Sequence, residues 1–135
     1  MTLTDSTLTE SRPLAVLVTA DLFLGTRLKA FAEKAGYRVT SVAGSERAIA
    51  LAAESPARVV LDLTAPRIDV AAIVQAYQPN AQERVSAYAP HVRLDLLRAA
   101  RAAGLRAVFT RSQLDTQLTA WLARPAFGQD GSENT

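Results

Sequence analysis

Arg58-Val59-Val60-Leu61-Asp62-Leu63 (RVVLDL) is the stretch on which the reading of this chain turns. Its apolar residues run almost without interruption and end at a turn containing Pro66, which marks a short strand buried on both faces. Upstream, Leu14 to Thr19 (LAVLVT) has the same character. Between the two the period changes. Leu24, Leu28, Phe31, Ala32 and Ala35 fall on one helical face closed by Gly36, and Tyr37 to Ala43 returns to strand. Ser45 is placed to cap a helix over Glu46 to Ala53 that stops before Pro56. Downstream, Asp69 caps a helix over Val70 to Tyr77, Gln78 to Gln82 is a Pro/Asn connection, and Arg84 to Ala89 is a fourth strand. Pro90 leads into a helix running to Ala103 with Gly104 as its stop, and Arg106 to Thr110 is the fifth strand. Ser112 with Asp115 resembles a capping box, and Leu114, Leu118, Trp121 and Leu122 give the last helix its apolar face. Five strands alternate with five helices, which implies an α/β fold with a doubly wound, five-stranded parallel sheet.

The 135 residues, 49% hydrophobic and 21% charged, suffice for one domain with a sizeable core. The expected domain spans 13–124, between disordered tails at 1–12 and 125–135. No apolar run approaches the roughly 20 residues of a membrane span, and the Thr- and Ser-rich start lacks the basic and apolar regions of a secretory signal. A soluble, cytoplasmic protein with no membrane partner is expected. Without cysteine there is no disulfide, thiol nucleophile or thiolate metal site, and a single histidine, His91, is a poor start for zinc or Ser-His-Asp chemistry. The net charge of +2 hides acidic flanks (Asp5, Glu10, Asp130 and Glu133 against Arg12), so the folded part is more basic than the total. Arg93, Arg98, Arg101, Arg106 and Arg111 crowd one stretch opposed only by Asp95. Such a run is either a solvated face or a contact surface for an acidic partner or nucleic acid.

In a doubly wound sheet, ligands meet the carboxyl ends of the strands. The residues there are Ala20 and Asp21 after the first strand, Asp62 and Thr64 at the third, Ala89 to His91 after the fourth and Arg111 after the fifth. A phosphate-binding turn needs glycines after the first strand. Thr19 to Gly25 (TADLFLG) offers one glycine and a carboxylate instead, which argues against dinucleotides and nucleoside triphosphates. Two carboxylates at neighbouring strand ends, Asp21 and Asp62, favour a hard cation or a cationic side chain such as Arg111.

These residues carry a resemblance to the response-regulator receiver family that covers nearly all of Leu14 to Leu122. VVLDLTAPRID (Val59 to Asp69) looks like the receiver's third strand and loop, and LLRAARAAGLRAVFTRS (Leu96 to Ser112) is similar to its fourth helix and fifth strand. The resemblance implies a flavodoxin/CheY-like (βα)5 fold with strand order 2-1-3-4-5 and a phosphoacceptor position at Asp62. The family's two metal-holding acids align with Ala20 and Asp21, so one is lost. Its switch hydroxyl aligns with Ala89; Ser86 takes that role only if the following loop is three residues longer. Its lysine aligns with Arg111, whose planar fork can clamp Asp62 or Asp21. Pro90-His91-Val92 and Arg111-Ser112 are similar to a group of atypical bacterial receiver-like proteins.

The expectation is therefore a stand-alone, atypical pseudo-receiver, not an enzyme, that signals by protein–protein contact. Its partners are regulatory proteins, among them a histidine kinase, or a second copy through the fourth helix, fifth strand and fifth helix. Tyr88, His91, Arg93, Arg98 and Arg101 are the candidate switch or contact residues. Cofactors are none, or Mg²⁺ on Asp21 and Asp62. The first alternative is a conventional regulator whose Asp62 takes phosphate from a kinase with Mg²⁺ at Asp21. The second is a nucleic-acid or acidic-surface binder using Arg93 to Arg111, and the third a small-molecule site on the same scaffold.

Overall fold

The computed structural model describes residues 12–124. The strands are β1 (Leu14–Val18), β2 (Arg38–Val42), β3 (Arg58–Asp62), β4 (Val85–Ala89) and β5 (Ala107–Thr110). They form one parallel sheet in the order β2-β1-β3-β4-β5. The helices are α1 (Leu22–Lys34), α2 (Ser45–Ala50), α3 (Val70–Ala76), α4 (Ala81–Arg84), α5 (Leu94–Ala102) and α6 (Thr119–Ala123). No helix among the described residues is long and apolar enough to cross a membrane.

Alternation along each strand sends neighbouring side chains to opposite faces and splits the core in two. Leu14, Val16 and Val18 join Val59, Leu61, Ile73 and Leu97 beneath α2, α3 and α5. Ala15 and Leu17 join Val60, Tyr88, Leu28, Phe109 and Trp121 beneath α1 and α6. β1, β3 and β4 are buried throughout, as their unbroken apolar runs require.

Helix ends follow local chemistry. Asp21 caps α1 by accepting from the Leu24 N–H at 3.0 Å, and Asp69 caps α3 by accepting from the Ala72 N–H at 3.0 Å. Gly36 and Gly104 take φ of 101° and 111° just beyond α1 and α5, where a side chain would be strained. Ala35 is exposed as the cap residue of α1 and not part of its buried face.

Several local expectations are corrected. Ser45 is the first residue of α2 and Gly44 its cap, because the Ser45 hydroxyl is used elsewhere, on the loop before α3. Arg84 closes the helical turn α4 instead of opening β4, and from there its guanidinium donates to the Pro56 carbonyl at 2.8 and 3.0 Å. Pro90 to Arg93 is a turn, so α5 starts at Leu94. The capping box is formed by Thr110 and Gln113, with Gln113 accepting from the Thr110 N–H at 2.9 Å, in place of Ser112 and Asp115. The last helical segment is irregular. A 3-10 turn (Arg111–Gln113) and a π turn (Leu114–Leu118) precede α6, which keeps Leu114, Leu118, Trp121 and Leu122 on the core. The expected tails lie outside the described residues except at Arg12, whose carbonyl accepts from Arg38 Nε at 3.1 Å.

Candidate functional site

Parallel pairing brings the residues after β1 and β3 and the ends of β4 and β5 to one sheet edge, with Asp62 beside Tyr88 and Ala89 beside Thr110 in register. Asp62 ends β3 and is only 2% exposed. A carboxylate buried to that degree must be compensated by donors. Thr64, two residues on, folds back over it: its N–H and its hydroxyl both donate to Asp62 Oδ1, at 2.9 and 2.7 Å. The Thr19 hydroxyl donates to Asp62 Oδ2 at 3.2 Å. Both oxygens of the carboxylate are thus engaged by neighbouring threonines.

Thr19 is the junction of this edge. Its Oγ1 also accepts from the Asp21 N–H at 3.1 Å and from the Tyr88 hydroxyl at 3.5 Å. Tyr88 is buried, and burial holds its phenol well above the ordinary value of 10.0; the bond with Thr19 opposes this shift and the Asp62 charge adds to it. The phenol therefore stays protonated throughout the neutral range and serves as a donor. Sequence reasoning passed over Thr19 because it reads as the last residue of a strand. The signal that finds it is a hydroxyl one residue before the Ala20-Asp21 pair, at the end of a strand adjacent to β3.

Asp21 gives one oxygen to its capping bond, while Oδ2 lies 3.7 Å from Arg111 Nη2. The arginine therefore meets Asp21 through one nitrogen in a half-exposed pair and does not form the two-pronged clamp. Next to them, Arg27 pairs with Asp115 and, with Phe23, Arg111 and Leu114, lines a pocket of about 230 Å³. Ala20 is exposed and Ala89 is fully buried at the end of β4, so neither brings a polar side chain to the edge. Ser86 is sealed within β4, its hydroxyl donating to the Val59 carbonyl at 3.3 Å, and does not reach the site.

The remaining candidates stand apart from this network. His91 is exposed in the turn after Pro90. Arg93 is exposed and makes a two-pronged pair with Asp95 at 3.0 and 3.1 Å. Arg98 and Arg101 are exposed on α5 and form no ion pair among the described residues.

Magnesium takes near-octahedral oxygen ligands and sheds water reluctantly. Among the described residues no three acidic or histidine side chains cluster to hold a metal. Asp21 faces a cation and a helix N–H, and Asp62 already accepts three donors. Asp21 and Asp62 are the two carboxylates that would hold a Mg²⁺ ion, and it would share them with Arg111 and with these hydrogen-bond donors.

No family model matches the chain, and no curated protein matches it. Solved structures do. A signal receiver domain from Vibrio parahaemolyticus superposes with a TM-score of 0.67 at 22% identity, covering 92% of this chain and 99% of that one. The receiver domain of a sensor histidine kinase from Pseudomonas aeruginosa, solved with a magnesium ion coordinated in its active-site cleft, gives 0.65 at 20% identity, covering 83% and 98%. A response regulator receiver domain protein from Clostridium thermocellum gives 0.66 at 16% identity, covering 82% and 90%. The likeness is one of fold: a five-stranded CheY-like receiver sheet in the order 2-1-3-4-5.

Proposed function

We propose that this chain is a receiver-like signalling domain that acts by protein–protein contact, without accepting a phosphoryl group and without catalysing a reaction. The observation that supports it is the setting of Asp62, which is buried, bonded at both oxygens by Thr64 and Thr19, and flanked by alanine at positions 20 and 89. To attack phosphorus, Asp62 must present a lone pair to a donor lying beyond the sheet edge; Thr64 takes up Oδ1 with two bonds, which leaves Oδ2, shared with Thr19, as the oxygen for that role. The charge that then develops must be met by a cation and a hydroxyl donor. Ala89 has no hydroxyl, Ala20 no carboxylate, and Arg111 stands beside Asp21, 3.7 Å from its Oδ2.

The contact surface in this reading is the edge and flank left open by the same residues. Leu22 and Phe23 at the start of α1 are each 87% exposed, and Val92 and Leu94 at the start of α5 are 71% and 52% exposed. Large apolar side chains displayed at the end of a sheet that also carries charge are the composition of a protein interface core with a polar rim. The partner is a regulatory protein, a histidine kinase being one class, or a second copy docked on α5, β5 and α6. Arg93 and Arg111 are already paired with carboxylates, which weakens the case for nucleic acid.

Intact-protein mass after incubation with acetyl phosphate and Mg²⁺, run beside Asp62→Asn, tests the proposal. The expected result is no phosphoryl gain in either chain. A gain in the native chain that disappears in Asp62→Asn would establish a conventional phosphoacceptor.

A further inference from the structure

An arginine stands at the amino end of every strand. Arg38 and Arg58 are the first residues of β2 and β3, Arg84 and Arg106 directly precede β4 and β5, and Arg12 lies just before β1. Leu14 pairs with Arg38, Ala15 with Arg58, Val59 with Val85 and Ser86 with Ala107, so the register gathers all of these arginines on one sheet edge, opposite the edge that carries Asp62. At the usual strand spacing the row is about 20 Å long. Each helix runs back against the strands, and the last turns of α1 and α5 and the cap of α6 bring Lys34, Arg101 and Arg124 to the same edge.

Part of this set is structural. Arg58 is buried on the carbonyls of Ala57, Glu83 and Arg124, and the half-buried Arg84 and Arg38 donate to the carbonyls of Pro56 and Arg12. Carbonyls are neutral, so they hold these guanidinium groups without cancelling their charge. Arg12, Lys34, Arg101, Arg106 and Arg124 are exposed and form no ion pair among the described residues. Three carboxylates share the edge: Glu54 and Glu83, both exposed, and Glu33, which lies 4.0 Å from Lys29. The balance is strongly positive. At the other end of the sheet the arginines are matched, Arg93 by Asp95, Arg111 by Asp21 and Arg27 by Asp115. The fold thus divides the arginine-rich stretch, sending Arg93 and Arg111 to carboxylates and Arg101 and Arg106 to open solvent.

We infer that this edge binds the phosphate backbone of a nucleic-acid duplex without reading its sequence. Guanidinium forks match phosphate oxygens in pairs. The surroundings of the arginines select among polyanions. The large apolar side chains exposed among the described residues, Leu22, Phe23, Val92 and Leu94, all stand at the starts of α1 and α5, at the opposite end. A protein partner calls for an apolar interface core, a membrane surface for an apolar face, and a single strand for an aromatic platform on which bases stack. A duplex backbone is held by charge alone. The flanking segments with Asp5, Glu10, Asp130 and Glu133 join the domain at this edge and compete with the ligand, so the full chain binds weakly. The inference is independent of the signalling reading, whose contact surface lies at the other end of the sheet.

The test is fluorescence anisotropy of the full chain with labelled DNA and RNA duplexes of about 20 base pairs, from about 50 to 200 mM NaCl, beside phosphatidylserine vesicles and a polyglutamate peptide. A duplex should bind with Kd in the micromolar range at the lowest salt, and log K should fall against log salt with a slope of about −3.5, the value for roughly four phosphate contacts. The tighter of the two duplexes identifies the source of the phosphates. Arg101→Gln combined with Arg106→Gln should weaken binding about ten-fold and reduce the slope by about 1.8. Arg47→Gln combined with Arg67→Gln removes the same charge from exposed positions at the other end and should leave the slope unchanged. No duplex binding at the lowest salt, a slope flatter than about −2, or equal losses in the two double variants would overturn the inference. So would vesicles or polyglutamate binding as tightly as the duplexes, since the edge would then serve a membrane or an acidic protein.

Discussion

Replacing Thr19 by valine removes one oxygen and keeps the shape of the side chain, so it isolates the junction of the sheet edge. Three bonds are lost. The Asp21 N–H is near solvent and finds water. The bond to the buried Asp62 carboxylate is charge-assisted and worth about 2 kcal/mol, and the stranded Tyr88 hydroxyl adds about 1 kcal/mol, less than a full penalty because its 3.5 Å contact is long. Thr19→Val should therefore cost about 3 kcal/mol. With a urea slope near 1.5 kcal/mol/M for a domain of this size, the midpoint should fall by about 2 M. Tyr88→Phe alone should cost about 1 kcal/mol, since Thr19 keeps its other partners. In the double variant no hydroxyl is stranded, so its cost should fall to about 2 kcal/mol and the cycle should return a coupling of about 2 kcal/mol. Equilibrium urea unfolding of the four proteins supplies the numbers. A midpoint shift below about 0.5 M for Thr19→Val, or strict additivity in the cycle, would refute the picture of Thr19 as a structural junction.

Two further outcomes follow from the buried groups. Tyr77 is fully buried with its hydroxyl donating to the Ala48 carbonyl at 2.8 Å, and burial pushes its phenol up to about 12. The unfolded chain loses that proton near 10, so its folded form holds the proton longer and stability falls as pH rises from 10 to about 12, by about 1.4 kcal/mol per unit. Tyr77→Phe should cost about 1 kcal/mol at pH 7 and flatten the alkaline limb of a stability–pH series; an equally steep limb would count against it. Arg58, 3% exposed, donates to the carbonyls of Ala57, Glu83 and Arg124 and lies 4.8 Å from the centre of the Trp121 ring. Arg58→Leu should cost about 3 kcal/mol and shift the emission of this single tryptophan, and a loss under about 1 kcal/mol would show that the three carbonyls manage without it.

What could be read beforehand was set by period and by side-chain chemistry acting over a few residues. RVVLDL and LAVLVT give unbroken apolar runs, and the strand order followed once the resemblance to receivers was in hand. Asp21 and Asp69 act as caps because a short carboxylate before a helical period has an N–H within reach. Ser45 looked like a cap by the same logic, but a hydroxyl can bond either its own helix or a neighbouring loop, and only the packed fold shows that Arg67 and Asp69 claim it. Thr110 and Gln113 are masked for a similar reason, since Ser112 and Asp115 fit the same spacing rule two residues later. At the site, the loss of Ala20 and Ala89 as functional groups was legible, whereas the closure of Asp62 by Thr64 and Thr19 was not. That closure depends on rotamers and on two strands meeting in register, neither of which a linear pattern encodes.

The division of the core into two clusters, one on each side of the sheet, gives the chain two separate fields in which to change. The clusters share no side chain, because β1, β3 and β4 hand alternate residues to each. A substitution under α1 and α6 is compensated among Leu28, Tyr88, Phe109 and Trp121, and one under α3 and α5 among Ile73, Val74 and Leu97. A change on one side of the sheet can therefore be absorbed there while the packing on the other side is kept. The sheet acts as a partition between two inheritances carried by one backbone.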